Sequence, residues 1–194
     1  MSVKTFAVLF SGKGSNLHAL IRALHNVTFG DTTLRIGVTI TNNPQAGGIA
    51  IAESYGIPCH ILDHKNYADR EAFDTALVQT LAPYTPDLTV LAGFMRILTP
   101  VFTQNVPAIN LHPSLLPLFK GAHAIKESFE SDEPCGGITI HWVNDELDGG
   151  AIIAQASVPK IAGESLEAFT ERIHALEHTL YPQTVQSLLL KESL

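Results

Sequence analysis

The chain has 194 residues, 45% of them hydrophobic and 16% charged, with a formal net charge of −7. That length fits one domain, or two tightly packed halves, with enough sequence to bury a core and still carve a cleft. The apolar residues never run to the roughly 20 needed to cross a bilayer, and the acidic balance argues against a broad nucleic-acid surface, which needs clustered Lys and Arg. Met1 to Thr5 leads into an apolar run without a small-residue cleavage pattern. The two cysteines, Cys59 and Cys135, give neither a disulfide framework nor a CxxC metal pattern. A cytoplasmic protein with reduced thiols is expected.

In chain order, residues 5–10 read as a buried strand, followed by the glycine loop Ser11-Gly12-Lys13-Gly14-Ser15-Asn16 and an amphipathic segment over residues 17–26. Residues 34–41 and 58–62 read as further strands, with one helix after Asn43-Pro44 and another over 69–81. Strands at 88–92 and 108–111 continue the alternation. After Gly136 the pattern changes: residues 137–143 and 151–158 flank Asp148-Gly149-Gly150 as an antiparallel pair, and residues 166–190 read as one closing helix. The fold class expected is α/β, a Rossmann-like, mostly parallel twisted sheet with helices on both faces and an antiparallel C-terminal addition. No repeat or linker marks a second domain.

Three sequence features carry chemistry. A glycine loop between a strand and a helix aims backbone N–H groups and the positive helix end at one point, which suits a phosphate. Gly12 and Gly14 allow close approach while Ser15 and Asn16 can donate. The spacing matches neither a dinucleotide fingerprint nor a P-loop, so a plain turn capped by Ser15 or Asn16 is the alternative. In Asn110-Leu111-His112-Pro113, positions two apart on a strand project to one face, so Asn110 and His112 point together and could hold a carbonyl oxygen. Pro113 stops the strand at the carboxyl edge, where open α/β sheets bind ligands. Asp148 before two glycines is a turn former unless the fold brings its carboxylate to His112, where it would orient the ring.

Nine histidines raise the question of metal. His174 and His178 lie four apart on the closing helix, but no Glu follows the first and no third ligand is evident, so no metal site is expected. His141 sits in an alternating strand and reads as a cross-strand partner; supporting roles for His123, His141 and His174 stay open.

Together these residues resemble the glycinamide ribonucleotide formyltransferase family of folate-dependent formyltransferases, over residues 6–190. The resemblance rests on the glycine loop, Leu91-Ala92-Gly93-Phe94-Met95-Arg96-Ile97-Leu98, the segment from Asn110 to Pro117, Asp145-Glu146-Leu147-Asp148-Gly149-Gly150, and Glu177-His178 near Tyr181-Pro182. It implies that Asn110, His112 and Asp148 are catalytic, that Gly14, Ser15 and Asn16 hold a ribonucleotide phosphate, and that Glu177 faces the substrate amine. It implies that Arg70, Met95, Arg96, Ile97 and Leu98 surround the folate, with 10-formyltetrahydrofolate as co-substrate and no metal. The implied reaction is direct formyl transfer from the folate to the amine of phosphoribosylglycinamide, without a formyl group held on the enzyme. The chain is expected to be one formyltransferase domain over 1–194, with a ribonucleotide-binding half over about 1–100 and a catalytic, folate-binding half over about 101–194. It is expected to act as a monomer or weak homodimer on small molecules, without nucleic acid or membrane partners. Lys120-Gly121-Ala122-His123 departs from the Pro-Gly pair of many relatives, which bears on loop shape. A methionyl-tRNA formyltransferase resembles a longer protein with a basic tRNA domain, and a formyltetrahydrofolate hydrolase one with a preceding regulatory domain. A formyltransferase for another amine and a non-enzymatic ligand-binding protein are the remaining alternatives.

Overall fold

A computed structural model describes residues 2–191. Strand β1 (Ser2–Phe10) lies at the centre of an eight-stranded sheet, parallel to β3 (Thr32–Thr41) on one side and to β5 (Leu88–Leu91) on the other. β4 (Cys59–Ile61) runs parallel to β3, and β6 (Ala108–His112) parallel to β5. β7 (Cys135–Trp142) and β8 (Ile152–Pro159) add antiparallel at one edge; β2 (Val27–Phe29) pairs antiparallel with β3. The sheet is thus mostly parallel with the expected antiparallel addition.

The strand alternation sorts the core into two layers. Phe6, Val8 and Phe10 of β1, with Ile109, Leu111, Ile138 and Ile140, face helices α1 (Ser15–Leu24) and α6 (Leu166–Leu190). Ala7 and Leu9 face the other way, against Phe73, Leu77 and Leu81 of helix α3 (Arg70–Leu81) and Phe102 of the short helix α4 (Pro100–Thr103). Helix α2 (Gly48–Ser54) joins the first layer through Ala52, and α5 (Ala124–Glu130) precedes β7. α3 starts where its cap allows, with Asp69 accepting from the Ala72 N–H at 2.8 Å.

Several boundaries differ from the sequence expectation. β1 begins at Ser2, not residue 5, because its exposed start still pairs with β3 from Thr32 onward. The three-residue β2 was not expected; it forms a hairpin whose two-residue loop, Gly30-Asp31, has Gly30 at φ 57°, and it is too short to show a period. α1 is capped by Gly14 at φ 83°, and neither Ser15 nor Asn16 serves as the cap. The helix expected after Asn43-Pro44 is α2, which starts at Gly48.

Two contacts anchor the site end of the sheet. A Cβ on Gly14 would sit 2.6 Å from Gly48 Cα, so only glycine lets the loop after β1 lie against α2. Tyr181, fully buried in α6, donates its hydroxyl to the carbonyl oxygens of Leu91 at 2.8 Å and Ile109 at 3.3 Å. This ties α6 to the ends of β5 and β6 and places Glu177, one helical turn earlier on the same face, toward the carboxyl edge.

Candidate active site

Asn110 and His112 share the sheet face opposite Leu111, as period two requires. The antiparallel register sets Asn110 across from His141 and His112 across from Thr139. Asp148 lies in the turn between β7 and β8 at φ 49°, and its Oδ2 is 3.4 Å from His112 Nδ1 and accepts from the Gly121 N–H at 3.0 Å. Its other oxygen is 3.7 Å from His141 Nε2. The turn is held tightly: a Cβ on Gly150 would lie 1.7 Å from the Trp142 carbonyl oxygen.

Hydrogen-bond partners define the protons here. His112 Nε2 is 2.8 Å from the carbonyl oxygen of Phe119, which can only accept, so Nε2 donates. With a carboxylate oxygen 3.4 Å from Nδ1, the ring has acceptors on both sides. His141 is the reverse. Its Nδ1 donates to the Trp142 carbonyl at 2.9 Å, which leaves Nε2 to accept from Asn110 Nδ2 at 3.3 Å. Burial holds the His141 pKa below its ordinary 6.5, against the opposing pull of the Trp142 carbonyl and Asp148, so the ring is neutral at neutral pH. Asn110 keeps its second amide hydrogen for another acceptor.

Leu111 and Pro113, which alternate with the catalytic candidates, line a cleft of about 460 Å³ together with Gly14, Asn16, His174 and Glu177. No side chain caps α1, so its first-turn N–H groups stay available at the glycine loop. Asn16 Nδ2 donates to Glu177 Oε2 at 2.8 Å, whereas Asn16 Oδ1 is buried without a partner. Burial raises the Glu177 pKa, opposed by the Asn16 hydrogen bond and by His174. His123 also lines this cleft, beside Lys126. Among the described residues no group of three His, Cys, Asp or Glu could hold a metal ion.

The segment after β5 divides its side chains. Met95 and Ile97 are 68% and 53% exposed, while Phe94 and Leu98 pack toward α3 and α4. The Phe94 ring stacks on Phe73 with centroids 6.4 Å apart, and the Arg96 guanidinium lies 5.5 Å from the Phe73 centroid with its Nε buried and without a partner. Arg70 is exposed at the start of α3, one turn before Phe73.

The fold therefore brings Asn110, His112 and Asp148 together, and Asn16 to Glu177. Sequence reasoning left a supporting role for His141 near His112 open and missed Phe119 as the partner of His112. Alternation from Asn110 and His112 onto an antiparallel neighbour could have pointed to His141 once the register was known; Phe119 left no such signal.

The chain belongs to the formyl transferase family, whose sequence pattern matches residues 4–185. Phosphoribosylglycinamide formyltransferase of Escherichia coli K12 is 40% identical over 180 residues, covering 92% of this chain and 84% of that protein. The crystal structure of phosphoribosylglycinamide formyltransferase from Campylobacter jejuni is similar with a TM-score of 0.93 and 54% identity, covering 96% of this chain and 97% of that one. The trifunctional purine biosynthetic protein adenosine-3 of Bos taurus is 40% identical over 182 residues, and the chain spans 18% of its length.

Proposed function

We propose that this enzyme transfers the formyl group of 10-formyltetrahydrofolate to the amine of 5'-phosphoribosylglycinamide, giving formylglycinamide ribonucleotide and tetrahydrofolate in de novo purine biosynthesis. The family and its similar relatives support the reaction. The observation that carries the roles of individual residues is the single cluster of Asn110, His112, His141 and Asp148, whose chain neighbours Leu111 and Pro113 line the same cleft as the glycine loop.

In this reading Gly14, Ser15 and Asn16 hold the phosphate with loop and first-turn N–H groups. Glu177 faces the amine, and the partnerless Asn16 Oδ1 can accept a hydrogen bond from the same substrate. Exposed Met95 and Ile97, with Leu98 beneath, fit the flat face of the pteridine, and Arg96 and Arg70 fit the acidic tail. The substrate nitrogen bonds to the formyl carbon while the bond from that carbon to the folate nitrogen breaks, and the amine proton ends on the folate nitrogen. Asn110 donates its second amide hydrogen to the oxygen that gains charge. The Phe119 carbonyl marks the side on which His112 Nε2 meets an oxygen, and the formyl oxygen takes over that hydrogen bond. Asp148 keeps the His112 ring aligned and can order a water that carries the proton.

The protein acts in the cytoplasm as one domain, a monomer or weak homodimer, on small molecules. No described helix is long and apolar enough to cross a membrane. The cleft draws on both halves of the chain, from Gly14 to Glu177, so ribonucleotide binding needs both. The test is a formyl-transfer assay offering phosphoribosylglycinamide, water alone or charged initiator tRNA as acceptor. Rapid formylation of the ribonucleotide is expected; turnover equal with water alone would favour a hydrolase and reject this assignment.

A further inference from the structure

Ser11 is 9% exposed and uses every polar group it has. Its hydroxyl accepts from the Met95 N–H at 2.7 Å and donates to Asn42 Oδ1 at 2.5 Å. Its own N–H donates to the Gly93 carbonyl at 3.0 Å, and its carbonyl accepts from Asn43 Nδ2 at 3.1 Å. The residue opens the glycine loop directly after β1, yet it bonds to the segment after β5, 84 residues away.

The segment is held below by the Ala92 N–H bond to the Leu9 carbonyl at 2.8 Å and by Phe94 stacked on Phe73, while the Met95 N–H takes the Ser11 hydroxyl as its partner. Gly93 turns it through φ 71° with nothing within 4 Å of a Cβ built there, and Met95 is 68% exposed. Gly93 and Met95 nevertheless line the same cleft as Gly14 and Asn16. The side chain of Asn42 is in turn held, its Nδ2 lying 3.2 Å from His64 Nδ1. A chain of bonds from His64 through Asn42 and Ser11 to Met95 therefore sets how far one loop lies from the other.

We infer that Ser11 is a positioning residue, whose hydroxyl holds the Gly93–Met95 backbone at the separation from the glycine loop that brings the two substrates' reacting atoms together. The inference rests on the formyl-transfer reading above, in which the glycine loop holds the acceptor and residues 95–98 the donor. Two substrates gain rate from being held in register, and a displacement of about 1 Å can cost on the order of 10²-fold. A hydroxyl that touches neither substrate can thus govern turnover. Loss of the hydroxyl also leaves the Met95 N–H and Asn42 Oδ1 without their partner.

The test compares wild type, Ser11→Ala, Ser11→Thr and Asn42→Ala, each confirmed as folded. Steady-state formyl transfer, separate titrations of phosphoribosylglycinamide and a reduced-folate analogue, and hydrogen exchange at the Met95 amide are measured for all four. In Ser11→Ala, kcat is expected to fall about tenfold or more, with folate-analogue affinity weakened, ribonucleotide affinity within about twofold of wild type, and faster Met95 exchange. Ser11→Thr keeps the hydroxyl and should recover most of the loss. Asn42→Ala removes the acceptor that aims the hydroxyl, so it should move kcat the same way by less, and it carries the test if threonine does not fit. Ser11→Ala with wild-type kcat and analogue affinity overturns the proposal, as does equal weakening of both ligands. Failure of the wild type to formylate the ribonucleotide would instead reject the reaction; analogue affinity and Met95 exchange would then still decide whether Ser11 positions the segment.

Discussion

Asn110 and His141 stand opposite each other across β6 and β7, and His141 Nε2 accepts from Asn110 Nδ2 at 3.3 Å. This contact fixes which way the Asn110 amide faces, because the Trp142 carbonyl takes the Nδ1 proton and leaves Nε2 as a lone pair. His141→Ala should free the amide to rotate and lower kcat about tenfold with KM nearly unchanged, while Asn110→Ala lowers kcat by on the order of 10²–10³. The double variant should be no slower than Asn110→Ala alone. Steady-state kinetics on the three variants check this, and fully additive losses would show that the two residues act separately.

Asp148→Asn keeps the shape of the side chain beside His112 and removes its charge. The carboxylate that faces His112 Nδ1 is lost, so kcat should drop by on the order of 10²-fold with KM nearly unchanged. Wild-type kcat in the folded variant would rule out the coupling.

Asn16→Ala removes the side chain that meets Glu177 in the cleft and exposes the end of α1. Binding of phosphoribosylglycinamide should weaken by about tenfold and that of a folate analogue by less than about twofold. Separate titrations by calorimetry give both values; equal weakening would count against the acceptor assignment.

Glu177 is buried and its pKa is raised above the ordinary 4.5 by desolvation. A raised folded-state pKa means the folded protein binds the proton more tightly than the unfolded chain, so this contribution is present below 4.5 and lost as pH rises through the raised value. Glu177→Gln keeps the hydrogen bond from Asn16 and removes the charge. Its melting temperature relative to wild type should therefore improve as pH rises above 4.5, even though ribonucleotide turnover collapses. Melting curves across the pH range test the sign; a difference that shrinks with rising pH contradicts it.

Gly150→Ala would drive a Cβ to 1.7 Å from the Trp142 carbonyl oxygen. The turn that carries Asp148 has to open, at a cost of about 3 kcal/mol in stability and with most of the activity. Chemical denaturation beside the kinetic assay reads both; an unaltered midpoint would show the turn to be slack.

Asn110, His112 and Asp148 were legible because period-two alternation and an Asp-Gly-Gly turn are local signals, and the family resemblance supplied their meeting. The alternation of strands and helices gave the α/β class for the same reason, since each element buries one stripe or face that its own residues define. What local patterning could not contain was register. Whether Asn110 faces His141 or Trp142 depends on how β7 slides along β6, and a slip of one residue would turn every side chain to the other face. The same holds for the bonds from Ser11 to Met95 and from Asn16 to Glu177, which join residues 84 and 161 positions apart. Local patterning alone sets which residue types stand at the carboxyl edge of the sheet. Which of them touch is settled by the folded chain, because the packing of α6 against the strand ends and the β6–β7 register are set by the whole core at once.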